Sequence, residues 1–341
     1  MTTRKLGFFS RLLDQVEPGE RYRLATEQFV CAERMGLQSA WVAQHHFLAT
    51  EGGLPAPFVF LAHLAAHTSR IRIGTGIVTL PLENPLRVAE DAAVLDLLSG
   101  GRLDIGVGPG GTPSAFASFG QDSEQRNAIF EANLAAVLSA WRGETLAGGS
   151  NRLYPAAAYL VDRVWQATFS VAGGVRAGRA GDGVMLSRTQ PRGAAAPDAS
   201  LADIQIPIIE AYLDALPPGR APRILGSRSV FVADDAGDAR HFAELGFRRH
   251  LDRLRVLGRP LPQQSLEAMI ADGDAHIGTP AQVIESLAAD RTLDHVTDVS
   301  FQVHPVDPPH AYILRTIELM AEVVAPALGW TAAPARRAAA G

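Results

Sequence analysis

Short apolar runs alternating with longer helical patterns fill the first ninety residues, the signature of βα units and a parallel sheet. Leu6 to Phe9 reads as a first strand. Tyr22, Ala25, Phe29, Ala32 and Met35 follow at spacings of three and four, which puts them on one helix face, and Gly36 is placed to end that helix. Ser39 to Ala43 is the next strand. A helix over Phe58 to Ala66 then leads to the β-branched run Ile71-Arg72-Ile73-Gly74-Thr75-Gly76-Ile77-Val78, read as one strand. Asn84-Pro85 supplies an N-cap and a first-turn proline for a helix ending near Leu98, with Gly100 and Gly101 beyond it as stop signals.

The alternation continues through strands at Leu103 to Val107, Trp165 to Val171, Val184 to Leu186, Ile224 to Ala233 and Val296 to Val303. Helices are expected over residues 124 to 141, Arg176 to Gly181 and Leu201 to Leu216, and the segment between the last two strands is long and helical. Gly143 to Asp162 reads as a surface insertion, and Thr189 to Ser200 as a loop. Eight strands without an internal linker predict a single α/β domain over residues 1–330, a (β/α)8 TIM barrel, in preference to a doubly wound sheet. Residues 331–341 are expected to form a disordered tail.

Composition narrows the partners. The 36 acidic and 31 basic residues leave a net charge of −5, and Lys and Arg never cluster into a block, so nucleic acid is not an expected partner. The chain has no apolar run of the roughly 18 residues a membrane span needs. The opening apolar stretch is too short for a secretory signal, so the expected location is the cytoplasm. The single cysteine, Cys31, has no disulfide or Cys-x-x-Cys partner and is expected to fill a helix core. His63 and His67 lie four apart on a predicted helix but lack a His-Glu-x-x-His pattern, and no metal site is expected.

Barrel enzymes project their reacting groups from the C-terminal ends of the strands. His45-His46 stands at the end of strand two, and adjacent side chains on extended backbone point to opposite sides, so at most one faces the mouth. Spacing alone does not choose between them. Gly106-Val107-Gly108-Pro109-Gly110-Gly111 matches GxGxxG, but Pro109 lacks an N–H for phosphate and Glu131, at the distance of the usual ribose ligand, falls inside a predicted helix. A tight glycine turn is the better reading there. Gly173-Gly174 precedes Arg176 at a strand-to-helix junction, where backbone N–H groups and the guanidinium offer a phosphate cradle; an ordinary turn is the alternative. Phe247 to Arg259 and Thr189 to Ser200 are candidate lids. Gly-x-Ser-x-Gly, Walker and kinase signatures are all missing.

Taken together, Ala40-Trp41-Val42-Ala43-Gln44-His45-His46-Phe47, Gly53-Leu54, Pro57-Phe58-Val59 to Ala62-His63-Leu64, Ile73-Gly74-Thr75-Gly76 to Leu80-Pro81, Asn84-Pro85-Leu86-Arg87-Val88-Ala89-Glu90-Asp91, and Leu97 to Gly101 with Arg102 resemble the bacterial luciferase family of flavin-dependent monooxygenases. The likeness is dense over the first 110 residues, recognisable from Gln166 to Ser187 and thinner from His276-Ile277-Gly278-Thr279-Pro280 onward. The resemblance implies a barrel that binds reduced FMN, or in one branch a deazaflavin, at its C-terminal mouth. By position it implies acid–base work near the flavin ring for His45, a non-prolyl cis peptide under the ring at Gly76-Ile77, a place at the flavin edge for Gly108, and a phosphate loop of Gly173, Gly174, Val175 and Arg176. It further implies a separate flavin reductase that supplies the reduced FMN, a small organic substrate such as an aldehyde or ketone, and a homodimer formed through the Ala-rich helices at 58–66 and 86–97. A deazaflavin-dependent hydride transfer and a non-catalytic flavin-binding relative are the alternative functions. Two positions depart from the family pattern. Pro109 replaces the arginine that holds the flavin phosphate in bacterial luciferase, and Gln44 replaces an acidic residue.

Overall fold

Ten strands run parallel to their neighbours in a computed structural model that describes residues 4–146, 148–194, 196–256 and 265–330. They are β1 (Lys5–Ser10), β2 (Ser39–Val42), β3 (Arg72–Thr75), β4 (Val78–Thr79), β5 (Leu103–Gly108), β6 (Val164–Ala167), β7 (Gly183–Leu186), β8 (Ile224–Val232), β9 (Ala275–Gly278) and β10 (Asp298–Gln302). β1, β2, β3, β5, β6, β7, β8 and β10 pair in that order, and β10 pairs with both β8 and β1, so the sheet closes as the expected barrel. β4 prolongs the sheet along β5, and β9 pairs with the C-terminal half of β8, Ser229 to Val232. The expected tail at 331–341 lies outside the described residues.

The helices are α1 (Pro18–Arg34), α2 (Pro57–His67), α3 (Pro85–Leu98), α4 (Pro113–Ser118), α5 (Arg126–Trp141), α6 (Val171–Ala180), α7 (Leu201–Ala215), α8 (Ala236–Val256), α9 (Leu266–Asp272), α10 (Pro280–Ala288) and α11 (His310–Leu319). Their punctuation follows the sequence. Asn84 Oδ1 accepts from the N–H groups of Leu86 and Arg87 at the start of α3, and Gly100 and Gly101 take φ of +69° and +82° just after its end. Ala25, Phe29 and Ala32 on α1 are fully buried, and Cys31 is buried beside them.

Alternation sorts most strand residues into two apolar cores, with Phe231 and Ala275 in two smaller clusters beside α8. Outward-facing Leu6, Phe8, Ile73, Ile105 and Val299 join the helices in one large core, while Trp41, Trp165, Met185 and Leu225 form a separate cluster inside the barrel. The two indoles meet edge to face at 5.7 Å. They fit because the strands beside them carry glycine: a Cβ on Gly74 would lie 2.4 Å from Trp41, and one on Gly183 would lie 2.3 Å from Trp165.

Three sequence expectations are corrected. The run Ile71 to Val78 is not one strand but β3 and β4, parted by a cis peptide between Gly76 and Ile77. The fifth expected strand stops at Ala167 instead of Val171, and the helix after it starts at Val171 instead of Arg176, because Ser170 caps it: Gly173 N–H donates to Ser170 Oγ at 3.2 Å. β9 was not expected at all, since four residues with one strong β-former give little periodicity.

Candidate functional site at the barrel mouth

β1 to β10 bring Phe9, Gln44, His45, Ile77, Gly108, Ala167, Gln302 and His304 to or just beyond their C-terminal ends. Phe9, Ile77 and Ala167 pack on the inner tryptophan cluster and form an apolar floor. A Cβ on Gly76 would lie 2.5 Å from the Phe9 ring, and one on Gly108 would lie 2.6 Å from Ile77 Cδ1. Small residues at these strand ends therefore keep the floor low enough for a flat ring to lie on it. Clefts of about 630 Å3 between α1 and α2 and about 510 Å3 at the N-terminal end of the barrel are roomier than the cavities of about 20 Å3 beside Phe9, Arg11 and His304 and about 30 Å3 beside His45. They lie away from this floor, and the site is assigned on its chemistry.

The two histidines have different neighbours, although both line one cavity of about 30 Å3. His45 Nε2 lies 3.2 Å from the Arg11 guanidinium, and its ring rests on Gly52, where a Cβ would come within 2.4 Å of Cδ2. The His46 ring lies 4.9 Å from Phe119, and burial pushes its pKa below the usual imidazole range. Gln44, at the position that departs from the luciferase pattern, is saturated: Thr79 N–H donates to its Oε1 at 2.7 Å, and its Nε2 donates to Pro55 O and to Glu83 Oε1 at 3.1 and 2.6 Å. An amide suits this place because a carboxylate would face Glu83, whose own pKa burial already raises.

The expected phosphate residues divide. Gly173 and Gly174 sit in the first turn of α6, with their N–H groups bonded to Ser170 Oγ and Ser170 O. Val171 and Ala172, at the first two helical positions, are the ones whose N–H groups an α-helix leaves without internal acceptors. Both glycines also relieve crowding, since a Cβ on Gly173 would strike Thr168 Oγ1 and one on Gly174 would lie 2.6 Å from Ile208 O. Val175 is half-buried on the same helix. Arg176 is drawn toward α5: its Nε donates to Gln166 Oε1 at 2.9 Å, Glu131 lies 3.6 Å away and the Phe130 ring 4.9 Å. Ser170 was not singled out from the sequence, although a serine three residues before Gly173 is a readable N-cap signal.

His304, just past β10, was also not foreseen as a mouth residue. Its Nδ1 pairs with Asp307 Oδ2 at 2.7 Å, and burial outweighs that carboxylate, pushing the imidazole down to about 4. His276, buried against Arg228, is likewise pushed down to about 4. In both cases the unfolded chain binds the proton first, so this stability is whole above pH 6.5 and drains away as pH falls toward 4. Each histidine is worth about 3 kcal/mol in that window. Asp182, whose carboxyl burial raises to about 6, acts in the opposite sense and offsets one of them. Asp14, Glu83, Asp274 and Asp298, also raised by burial, act in the same sense as Asp182, so the test is the difference: between pH 6.5 and 4 the urea midpoint should change in the destabilising direction more in the unmodified protein than in His304→Gln, and equal slopes would show that His304 takes no part.

In the lid candidate at 189–200, of which residue 195 lies outside the described residues, Arg192 Nη2 donates to both Asp274 carboxylate oxygens at 2.8 and 3.0 Å. Of the other lid candidate, residues 257–259 lie outside the described residues. His63 and His67 stack at 4.3 Å on α2, and no group of three or more metal-ligating side chains occurs among the described residues. No described helix is long and apolar enough to cross a membrane.

A profile of the luciferase-like monooxygenase family matches residues 7–294. The chain belongs to that family. Over 136 residues it is 31% identical to the flavin-dependent trigonelline monooxygenase, oxygenase component, of Acinetobacter baylyi, which covers 39% of this chain and 38% of that one. The first curated relatives match over about a third of their own length, 33% and 37%. Among solved structures, the oxygenating constituent of 3,6-diketocamphane monooxygenase from Pseudomonas putida, in complex with FMN, superposes with a TM-score of 0.76 at 18% identity, covering 95% of this chain and 98% of that one. An F420-dependent secondary alcohol dehydrogenase superposes with a TM-score of 0.67 at 18% identity, covering 96% and 99%. At those identities the two structures speak for the shared barrel.

Proposed function

We propose that this protein is the oxygenase component of a two-component flavin-dependent monooxygenase, taking reduced FMN from a separate reductase and oxidising an aldehyde, ketone or similar small organic substrate with oxygen. The observation that carries this reading is the low apolar floor of Gly76-Ile77 and Gly108 at the C-terminal ends of the strands. That floor fits an isoalloxazine ring, and the capped start of α6 at Ser170, Gly173, Gly174 and Val175 is placed to meet the phosphate end through the helix N-terminus. Bound there, the flavin would supply the oxygen-activating chemistry. The chain's own share is to seat the ring on the floor, keep water from it and hold His45 at its edge. Arg176 can join the phosphate only by leaving Glu131 and Gln166.

Family membership and the relative named as an oxygenase component support the two-component reading. A cytoplasmic setting, where a reductase is at hand, agrees with it. Val59, Leu97 and Leu98 stand 73%, 59% and 67% exposed on α2 and α3, which supports a homodimer through those helices; sedimentation should then give twice the chain mass of 36.3 kDa. Deazaflavin-dependent hydride transfer is the second reading, favoured by Pro109 standing where luciferase has its phosphate arginine and by the commitment of Arg176 to Glu131. With a generic reductase supplying reduced FMN, oxygen uptake should yield oxidised product from a panel of aldehydes and ketones. Uptake no faster than that of free flavin would overturn the oxygenase reading and leave deazaflavin-dependent hydride transfer or a non-catalytic flavin-binding relative.

A further inference from the structure

We propose that the cleft at the N-terminal end of the barrel is a second binding site, taking a small organic carboxylate between the guanidinium groups of Arg163 and Arg223 and the indole of Trp165. The site lies at the opposite end of the strands from the mouth, and it does not depend on the oxygenase reading. Its volume of about 510 Å3 suits a small molecule and exceeds what a single ion needs.

The charges gather there because strands begin on them. β1 starts on Lys5, β3 on Arg72 and β10 on Asp298, while Arg163 and Arg223 stand one residue before β6 and β8. The four carboxylates of the cleft are already answered. Asp104 accepts from Arg72 Nε at 2.5 Å, and Asp298 accepts from Thr297 Oγ1 at 2.7 Å with Lys5 at 3.7 Å. Asp162 pairs with Arg220 at 2.9 Å, and Glu33 accepts from the N–H groups of Ser69, Arg70 and Ile71. Arg163 and Arg223 pair with no carboxylate among the described residues. They donate only to backbone carbonyls, Arg163 Nη1 to Gly101 O and Leu103 O at 3.0 and 3.4 Å and Arg223 Nη2 to Val164 O at 3.0 Å. Burial accordingly lowers the pKa of Arg223, which the more distant Asp104 does not offset.

Two buried polar atoms in the lining also lack partners among the described residues: the Nε1–H of Trp165, a residue 5% exposed, and Gln38 Oε1. An unmet buried group of this kind costs about 1–3 kcal/mol, so a partner is called for. The Arg223 guanidinium stands 5.1 Å from the centre of the Trp165 ring, which puts the indole N–H and the cation side by side. Guanidinium and indole groups are donors only, the complement of a carboxylate, and Gln38 Oε1 would take a hydroxyl or N–H elsewhere on the ligand. Leu37 and Ile71 add apolar lining, which is why an organic anion fits better than a bare oxyanion.

The test is calorimetric titration of the flavin-free protein with cyclohexanecarboxylate, with cyclohexanecarboxamide and inorganic phosphate as comparisons. Saturable binding of the carboxylate is expected, about tenfold tighter than that of either comparison. Arg223→Gln and Arg163→Gln should each weaken it about tenfold, and Arg163→Gln carries the test alone if loss of the Arg223 tie to Val164 unfolds the chain. Arg176→Gln, at the other end of the barrel, should leave the affinity unchanged. Absence of saturable heat would mean that water alone meets Trp165 and Gln38 and would overturn the proposal. Equal binding of the carboxamide or of phosphate, an affinity unmoved in the tested Arg163 and Arg223 variants, or a loss in Arg176→Gln would overturn it too. Because no flavin is present, failure to bind FMN would count against the oxygenase reading alone.

Discussion

His45→Ala should lower substrate oxygenation by about 100-fold while leaving reduced flavin bound with nearly unchanged affinity. The asymmetry follows from the architecture. The floor is made by Phe9, Ile77, Gly108 and Ala167 and the phosphate end by α6, so none of the surfaces that would hold a flavin includes the His45 ring. What the imidazole contributes is a hydrogen-bonding edge held by Arg11 and Gly52. Alanine would remove that edge and leave a gap for water, so reduced flavin would be spent without product. Single-turnover product yield measures this directly, and an unchanged yield would remove His45 from the chemistry.

Arg228→Met should cost about 3–5 kcal/mol of folding stability, the largest loss expected from a single substitution away from the mouth. Arg228 lies on β8 with its side chain fully buried, its Nε on Asp290 Oδ2 at 2.5 Å and its Nη2 on Gln205 Oε1 at 3.0 Å. Burial alone would raise the Asp290 carboxyl, and the Arg228 charge holds it below its ordinary range. Methionine matches the stem but strands a buried carboxylate next to His276, 3.9 Å away. A lowered urea midpoint with partial recovery in Arg228→Met/Asp290→Asn is expected. A loss below about 1 kcal/mol would mean that water reaches Asp290 freely.

The barrel was legible because its evidence is periodic and repeated: strand and helix patterns alternated, and Asn84-Pro85 and Gly100-Gly101 marked boundaries that the structure keeps. The placing of His45 and His46 just beyond the end of β2 was legible too, although the strand alternation stops at Val42, before it reaches them. Long-range contacts were not. Nothing local to Arg11 announces a partner 34 positions away, and the burial that shifts His304 and Asp182 depends on the packed whole. The contacts of Arg176 were not legible for the same reason, because its partners Phe130 and Glu131 come from another helix. The end of β6 was misplaced because β-branched Val171 continues a strand pattern that the Ser170 cap in fact stops.

The measurement that bears most directly on the central claim is anaerobic titration of the protein with reduced FMN and, separately, with reduced deazaflavin, followed through tryptophan fluorescence. Trp41 and Trp165 lie directly beneath the proposed floor, so a ring seated on Ile77 and Gly108 should quench them. Saturable quenching by reduced FMN, weakened by Gly108→Leu and tighter than that by the deazaflavin, is the predicted result. Quenching by the deazaflavin alone would contradict the oxygenase account and assign the barrel to hydride transfer.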